Sequence, residues 1–191
     1  GKLHIKHGYP FKSEYFSDDG HYVVLTPGNF HEAGGFKRQA EKEKYYLGDI
    51  PEDYLHSKGD LIVAMTEQSA GLLGSCAFVP EENTYLHNQR LGLISTDPKE
   101  LNKSFVYYLF QTKSVREQIR LTSTGSKVKH TSPDRLYAVT APLPKVDEQK
   151  KIAAVLSALD AKIDCNNRIN AELEAMSAAT VTRLRSRGDS S

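Results

Sequence analysis

The sequence predicts an α+β fold: a sheet-rich globular domain over residues 1–145, followed by a long C-terminal α-helix over 146–191 that forms a coiled coil. Three observations carry this reading. Short β-type runs punctuated by Gly, Pro, Asn and Asp fill the first part. A stretch free of Gly and Pro, rich in Ala, Leu, Glu, Lys and Arg, runs from Glu148 to about Arg185. The 191 residues, 39% hydrophobic and 26% charged, suffice for one core with an appendage and make wholesale disorder untenable.

Residues 3–9 read as the end of a strand already under way, and the chain begins with Gly1 rather than Met, so a short N-terminal piece is expected to precede it. Further strands are predicted at 22–26, 61–65, 75–79, 85–95 and 136–141. One helix interrupts them. Asp97 can cap it, Pro98 suits its first position and Glu100 stands three residues after the cap; Leu101, Phe105, Tyr108, Leu109, Val115, Ile119 and Leu121 then form an apolar side that should pack on the sheet.

Pro142 and Pro144 forbid helix continuing from upstream, and Asp147 is a plausible N-cap for the long C-terminal helix. Spacings of four and three then link Ile152, Leu156, Leu159, Ile163, Asn166, Asn170 and Leu173, with Val155, Ile169 and Met176 broadening the stripe. At 1.5 Å per residue this helix reaches about 55 Å, more than a domain of this size can cover, so much of its stripe must bury against another helix. Asn166 at a seam position would fix register and partner number; the alternative is that the helix frays or turns near Cys165, Asn166 and Asn167. The tail with Arg183, Arg185, Arg187 and Gly188 is expected to be mobile.

No apolar run approaches the roughly 18 residues of a membrane span, and no signal-peptide pattern opens the chain, so a soluble protein without a membrane partner is expected. Cys76 and Cys165 lie far apart in unlike contexts, which indicates neither a disulfide framework nor a metal-ligand cluster and suits a reducing, cytoplasmic compartment. The 25 basic and 24 acidic residues leave a formal charge of only +1, which argues against a polyanion partner until the charge is counted locally. Between Lys113 and Arg135 six basic residues (Lys113, Arg116, Arg120, Lys127, Lys129 and Arg135) face only Glu117 and Asp134, a net of +4. Inside this stretch lies a loop of small hydroxyl residues, one glycine and two lysines, including Gly125, Ser126, Lys127, Lys129, His130 and Thr131.

Hydroxyls, backbone N–H groups and Lys are the usual phosphate partners, and Ser, Thr, Lys and His also reach base edges. Composition alone equally allows a solvated basic loop with no ligand. Comparable polar chemistry occurs at 9–13 with Lys12 and Ser13, at 29–38 with Lys37 and Arg38, and at 66–69 with Thr66, Gln68 and Ser69; Gln68 is of the type that pairs bidentately with adenine. The value of these segments depends on their converging on one face.

Catalytic constellations are mostly absent. An acidic residue upstream of an E-x-K pattern, Asp134 with Glu148 and Lys150, matches a metal-dependent nuclease loosely, but that chemistry needs Glu148 and Lys150 on a strand, and here they open a helix where an acid is favourable anyway. The seven His residues form no H-x-x-x-H or H-E-x-x-H arrangement, and G-x-S-x-G, phosphate-loop and G-x-G-x-x-G patterns are missing, so no metal site and no self-sufficient active site are expected.

The run from Leu143 and Pro144 through Glu148, Gln149 and Ile152 to Leu159, Asp160 and Ile163 closely resembles the signature of the specificity (S) subunit of type I restriction-modification systems, which reads like L-P-P-L-x-E-Q-x-x-I followed by L-D-x-x-I. Residues 8–16, 58–65 and 124–126 look like parts of that family's target recognition domain. Lys145 replaces the second proline, and one recognition domain and one helical region stand where the family usually carries two; no internal repeat occurs. The chain therefore resembles a half-size S subunit, or half of a longer one.

The resemblance implies a non-catalytic, DNA-binding subunit that reads one half of a bipartite target in double-stranded DNA, and the polar loops make Lys12, Ser13, Thr66, Gln68, Ser69, Gly125, Ser126, Lys127, Lys129, His130 and Thr131 the expected reading residues. It implies a long helix that docks a methyltransferase (M) subunit and, through Ile152, Leu156, Leu159, Ile163, Asn166 and Leu173, a second copy of the chain. A homodimer would imply a palindromic target. Adenine methylation and ATP-driven cleavage would fall to M and restriction (R) subunits, with S-adenosylmethionine, ATP and Mg²⁺ held there and none in this chain. The rival reading is an assembly or competitor module that binds M subunits without reading DNA sequence.

Overall fold

The computed structural model describes residues 2–39 and 42–188, with the side chains of the last helix described to residue 178. Among the described residues the strands are β1 (Leu3–His7), β2 (Phe16–Ser17), β3 (Val23–Leu25), β4 (Tyr45–Tyr46), β5 (Leu61–Ala64), β6 (Cys76–Phe78), β7 (Tyr85–His87) and β8 (Leu91–Thr96), and the α-helices are α1 (Lys103–Gln111), α2 (Lys113–Thr122), α3 (Pro133–Tyr137) and α4 (Val146–Gly188). The chain divides into two units, Gly1–Lys150 and Lys151–Ser191. The division falls about a turn into α4, and Gln149 lies within the first unit.

Two four-stranded sheets build that unit, in the orders β1-β8-β5-β6 and β2-β4-β3-β7. In the first, β8 pairs antiparallel with both β1 and β5, and β5 pairs antiparallel with β6. In the second, β3 lies antiparallel to β4 and parallel to β7. All four residues of β5 are buried, which explains its unbroken apolar run Leu61, Ile62, Val63, Ala64. The period of two along β3 divides its side chains between two clusters: Val23 and Leu25 join Phe30, Ile62, Leu72, Tyr85 and Leu91, whereas Val24 joins Tyr46 and Leu86. The two-residue strands β2 and β4 are too short to leave a sequence pattern, and the 22–26 prediction found their neighbour β3 alone.

Four expectations are corrected. The strand expected at 85–95 is two strands, β7 and β8, because residues 88–90 turn back between them. The single helix from Asp97 is two helices, and Asp97 does not cap it: Asp97 accepts from Lys99 N in a turn, while the Asn102 side chain caps α1 by accepting from Phe105 N at 2.9 Å. Thr112, extended at φ −67° and ψ 142°, ends α1 and caps α2. The strand expected at 136–141 is absent; Pro133 at a helix start after Ser132 turns 133–137 into α3, whose Leu136 is buried, and the following residues remain without a strand partner. In α4, Lys145 rather than Asp147 accepts the first amides, from Glu148 N and Gln149 N, and Asp147 lies in the first turn. The helix passes Cys165, Asn166 and Asn167 without a break. The mobility expected of the tail lies outside the described residues at 189–191 and concerns undescribed side chains at 183–187.

Candidate nucleic-acid interface

The ends of β1, β5 and β8 meet at one edge of the first sheet, since His7 pairs with Gly92 and Ala64 pairs with Leu91. The loops that leave β1 and β5 here contain the 9–13 and 66–69 segments that the sequence singled out. Met65 N donates to Arg90 O at 2.8 Å, Thr131 N to Met65 O at 2.9 Å and Glu67 N to Lys129 O at 2.9 Å, so the 66–69 loop and the 124–131 loop are joined through their backbones. Thr66 Oγ1 lies 3.0 Å from His130 Nδ1, adding a side-chain link across the same junction.

The 124–131 loop is closed on itself. Thr124 and His130 exchange both backbone hydrogen bonds, at 2.9 and 2.8 Å. Gly125 has φ +96°, and a Cβ there would sit 2.0 Å from Val128 O, so only glycine fits this turn. Ser126, Lys127 and His130 are exposed and Lys129 is half-buried. Gln68 and Ser69 are likewise exposed on the neighbouring loop. Thr66 and Thr131 are buried, at 7% and 8% exposure, so both serve the junction rather than the surface.

Ser13 reaches the same edge by another route, whereas the Lys12 ammonium before it lies 3.9 Å from Glu14. Gly8 N donates to Leu91 O and Tyr9 N to His87 O, both at 3.1 Å, which ties the start of their loop to the 88–90 turn. Ser13 lines a groove of about 480 Å³ together with Gln89 and Arg90. The sequence reading missed this turn: three residues between two strands give composition little to register, although a short Asn-Gln-Arg turn between apolar runs was there to be found.

The +4 stretch divides into structural and free charge. Arg116 donates to Leu73 O at 2.8 Å, to Gly71 O at 3.0 Å and to Glu32 O, and burial lowers its pKa. It is a fastener for the 67–75 segment. Arg135 donates to Thr124 Oγ1 at 3.1 Å and braces the 124–131 loop. Lys127 and Lys129 have no ion pair among the described residues, and Lys113 and Arg120 line a smaller cavity of about 320 Å³ with Glu67 and Glu117. In the 29–38 segment, Asn29 closes a capping box with Thr26, and Arg38 pairs with Glu81 and Tyr85, so neither is available to a ligand.

No group of three or more His, Cys, Asp or Glu among the described residues could hold a metal ion. The Cys76 thiol is buried and its pKa is pushed up by that burial, while Cys165 is exposed on α4. No helix among the described residues is long and apolar enough to cross a membrane. What the edge offers is hydroxyl, amide, imidazole and ammonium groups on loops fixed by backbone hydrogen bonds.

The sequence profile described as Type I restriction modification DNA specificity domain matches residues 3–175. The chain belongs to this family. The Type I restriction enzyme EcoBI specificity subunit of Escherichia coli is 31% identical over 166 residues, covering 84% of this chain and 31% of that protein. The MjaIX specificity subunit of Methanocaldococcus jannaschii is 37% identical over 170 residues, covering 74% of this chain and 38% of its own length. The chain thus spans about a third of these curated relatives. Among solved structures, the type I restriction-modification S subunit from M. genitalium superposes with a TM-score of 0.58 at 21% identity, covering 85% of this chain and 37% of that one. The HsdS subunit from Thermoanaerobacter tengcongensis gives 0.57 at 14% identity over 85% of this chain and 36% of its own. These likenesses establish the α+β specificity-subunit fold with its long C-terminal helix, and with a single recognition domain the chain matches the resemblance read from Leu143 to Ile163.

Proposed function

We propose that this chain is the DNA-reading part of a type I restriction-modification system, with no catalysis of its own. The observation that carries the reading is the joining of the 66–69 and 124–131 loops by backbone hydrogen bonds at one edge of the first sheet, where Ser13 also lines a groove beside the 88–90 turn; exposed Gln68, Ser69, Ser126, Lys127 and His130 and half-buried Lys129 stand on the joined loops, and Lys12 precedes Ser13. Such an edge suits one half of a bipartite duplex target: ammonium groups meet phosphates, while amide and hydroxyl groups meet base edges. Methyl transfer to adenine and DNA cleavage belong to M and R subunits, which would hold S-adenosylmethionine, ATP and Mg²⁺; R would be reached through M. A cytoplasmic location follows from that role.

Each protein phosphate contact adds roughly 0.9 to the slope of log affinity against log salt. The double variant Lys127→Ala, Lys129→Ala is expected to weaken duplex binding and to flatten that slope by about 2. Fluorescence anisotropy at several salt concentrations measures both, and an unchanged slope removes the 124–131 loop from the phosphate contacts.

Within α4, Ile152, Leu159, Ile163 and Leu173 are exposed, between 42% and 57%, and Leu156 is half-buried. A stripe of this kind is stabilised by burial against another helix, and the proposed partner is the same helix of a second copy, with further helix surface docking M. Leu159→Glu should cost on the order of 2–3 kcal/mol in each chain by placing a carboxylate in the seam. Light scattering is expected to give half the wild-type mass, and an unchanged mass would take the helix out of the interface. The assembly-module reading predicts complex formation with M but no retention of specific duplex, which a gel shift with M present distinguishes.

A further inference from the structure

The turn that joins β7 to β8 is built more rigidly than a three-residue connection requires. Leu91 N donates to Asn88 O at 2.9 Å, and Arg90 N donates to Asn88 Oδ1 at 2.9 Å. On one side Gly8 lies so close that a Cβ on it would be 1.9 Å from Asn88 O, and Gly8 N and Tyr9 N bond the strands flanking the turn. On the other side Arg90 O accepts from Met65 N at 2.8 Å, one residue before the 66–69 loop. Asn88 and the backbone are taken up by this clamp.

Gln89 and Arg90 are not. Both are exposed, and among the described residues no hydrogen bond or ion pair holds either side chain. They line the 480 Å³ groove with Tyr9, Phe11, Ser13 and Lys44. Of the two cations there, Lys44 is paired with Asp18, which leaves Arg90 free. The rings of Tyr9 and Phe11 stand edge to face at 5.1 Å and fix the groove wall.

We propose that Gln89 and Arg90 are specificity-determining residues that read base edges of duplex DNA beside the 124–131 loop; the inference rests on the DNA-reading function proposed above. An Arg side chain bonds the two major-groove acceptors of guanine, and Gln bonds the donor and acceptor of adenine. A clamped turn presents both with little backbone ordering left to occur on binding. Lys127 and Lys129, by contrast, are point charges suited to phosphates, whose contacts position the protein without carrying sequence information.

The test is selection from a library of randomised duplexes by the full chain co-purified with an M subunit, followed by sequencing of the retained DNA. Wild type is expected to enrich a defined motif. Arg90→Ala should relax base preference at one position by roughly tenfold to a hundredfold, and Gln89→Ala at another, with total retention of random duplex changed less than about twofold. Arg90→Lys should fail to restore the lost preference, because an ammonium does not reproduce the guanidinium fork. Variants that enrich the wild-type motif unchanged, or that lose retention uniformly with the motif intact, overturn the assignment while leaving the DNA-reading function standing. A wild-type chain that enriches no motif overturns the function itself.

Discussion

Between pH 7.5 and pH 5, His87 alone is expected to cost the fold about 2 kcal/mol of stability, and His87→Phe is expected to remove that cost. The side chain is fully buried at the end of β7, with the His56 ring 4.7 Å and the Tyr54 ring 5.4 Å from its own. Among the described residues neither of its ring nitrogens finds a hydrogen-bond partner. Burial holds its pKa down to about 3, the neighbouring His56 adds to the depression, and the Lys6 backbone opposes it only in part. Lys6, 4.1 Å over the Tyr54 ring and paired with Asp53 at 3.4 Å, pushes the His87 pKa down further, as does His7. Asp60, the nearby acid, is engaged by His56 Nδ1 at 3.1 Å.

Because the folded-state pKa lies below the unfolded value of 6.5, the unfolded chain takes up the proton first as the pH falls. The stability contributed by neutral His87 is therefore complete above about pH 6.5 and declines by about 1.4 kcal/mol per pH unit toward pH 3. Denaturant midpoints at pH 7.5, 6 and 5 for wild type and His87→Phe measure the difference, in which the remaining His and carboxyl groups cancel. Parallel pH dependences would show that His87 gains a proton in the fold as readily as in the unfolded chain.

The sequence carried the fold wherever a pattern is long or its chemistry obligatory. The buried run at 61–64, the Gly- and Pro-free stretch of α4 and the proline barrier at 142–144 were legible because period, length and a missing donor each act locally. Asp97 misled because it sits in a capping sequence context, yet its carboxylate closes a turn on Lys99 while Asn102, five residues later, has the extended backbone that a cap needs. Strand β2 was lost because two residues cannot show a period of two, and 136–141 misled because its apolar residues answer to burial of Leu136 rather than to a sheet neighbour.

At the candidate interface, residue chemistry singled out loops that the fold brings together but not each side chain's duty. Thr66, Arg116 and Arg135 share their types with surface-binding residues, and only the fold shows them turned to backbone and loop partners, while Thr131 is buried with its hydroxyl unpartnered among the described residues. Gly125 was read as part of a polar loop, whereas its positive φ makes it the hinge on which that loop closes. Arg90 and Gln89 were invisible for the opposite reason. Their place beside Ser13 comes from pairing between distant strands, which no local count of charge contains.

Gln149→Leu is expected to destabilise the first unit by about 3 kcal/mol. The residue is 1% exposed, and all three of its hydrogen bonds go to backbone: Oε1 accepts from Asn102 N at 2.9 Å, and Nε2 donates to Pro144 O at 2.8 Å and to Glu100 O at 3.2 Å. It thus fastens the first turn of α4 to the residues that open α1. Leucine keeps most of the volume but strands a buried amide and withdraws a donor from two carbonyls, at about 1–3 kcal/mol for the orphaned donor and less for each acceptor. The Gln149→Glu variant makes the argument specific to hydrogen bonding. A carboxylate still accepts from Asn102 N but faces the Pro144 and Glu100 carbonyl oxygens without a proton, so burial and those dipoles should raise its folded pKa above the unfolded value of about 4.3. With the folded value raised, protonation favours the fold, and the deficit of Gln149→Glu relative to wild type is expected to shrink as the pH falls from 8 to 5.5. The Gln149→Leu deficit should stay constant over the same range. Thermal or denaturant unfolding of the three proteins at both pH values supplies the comparison; equal, pH-independent losses for the two variants would mean that Gln149 acts by filling space and not by the three bonds that its amide makes.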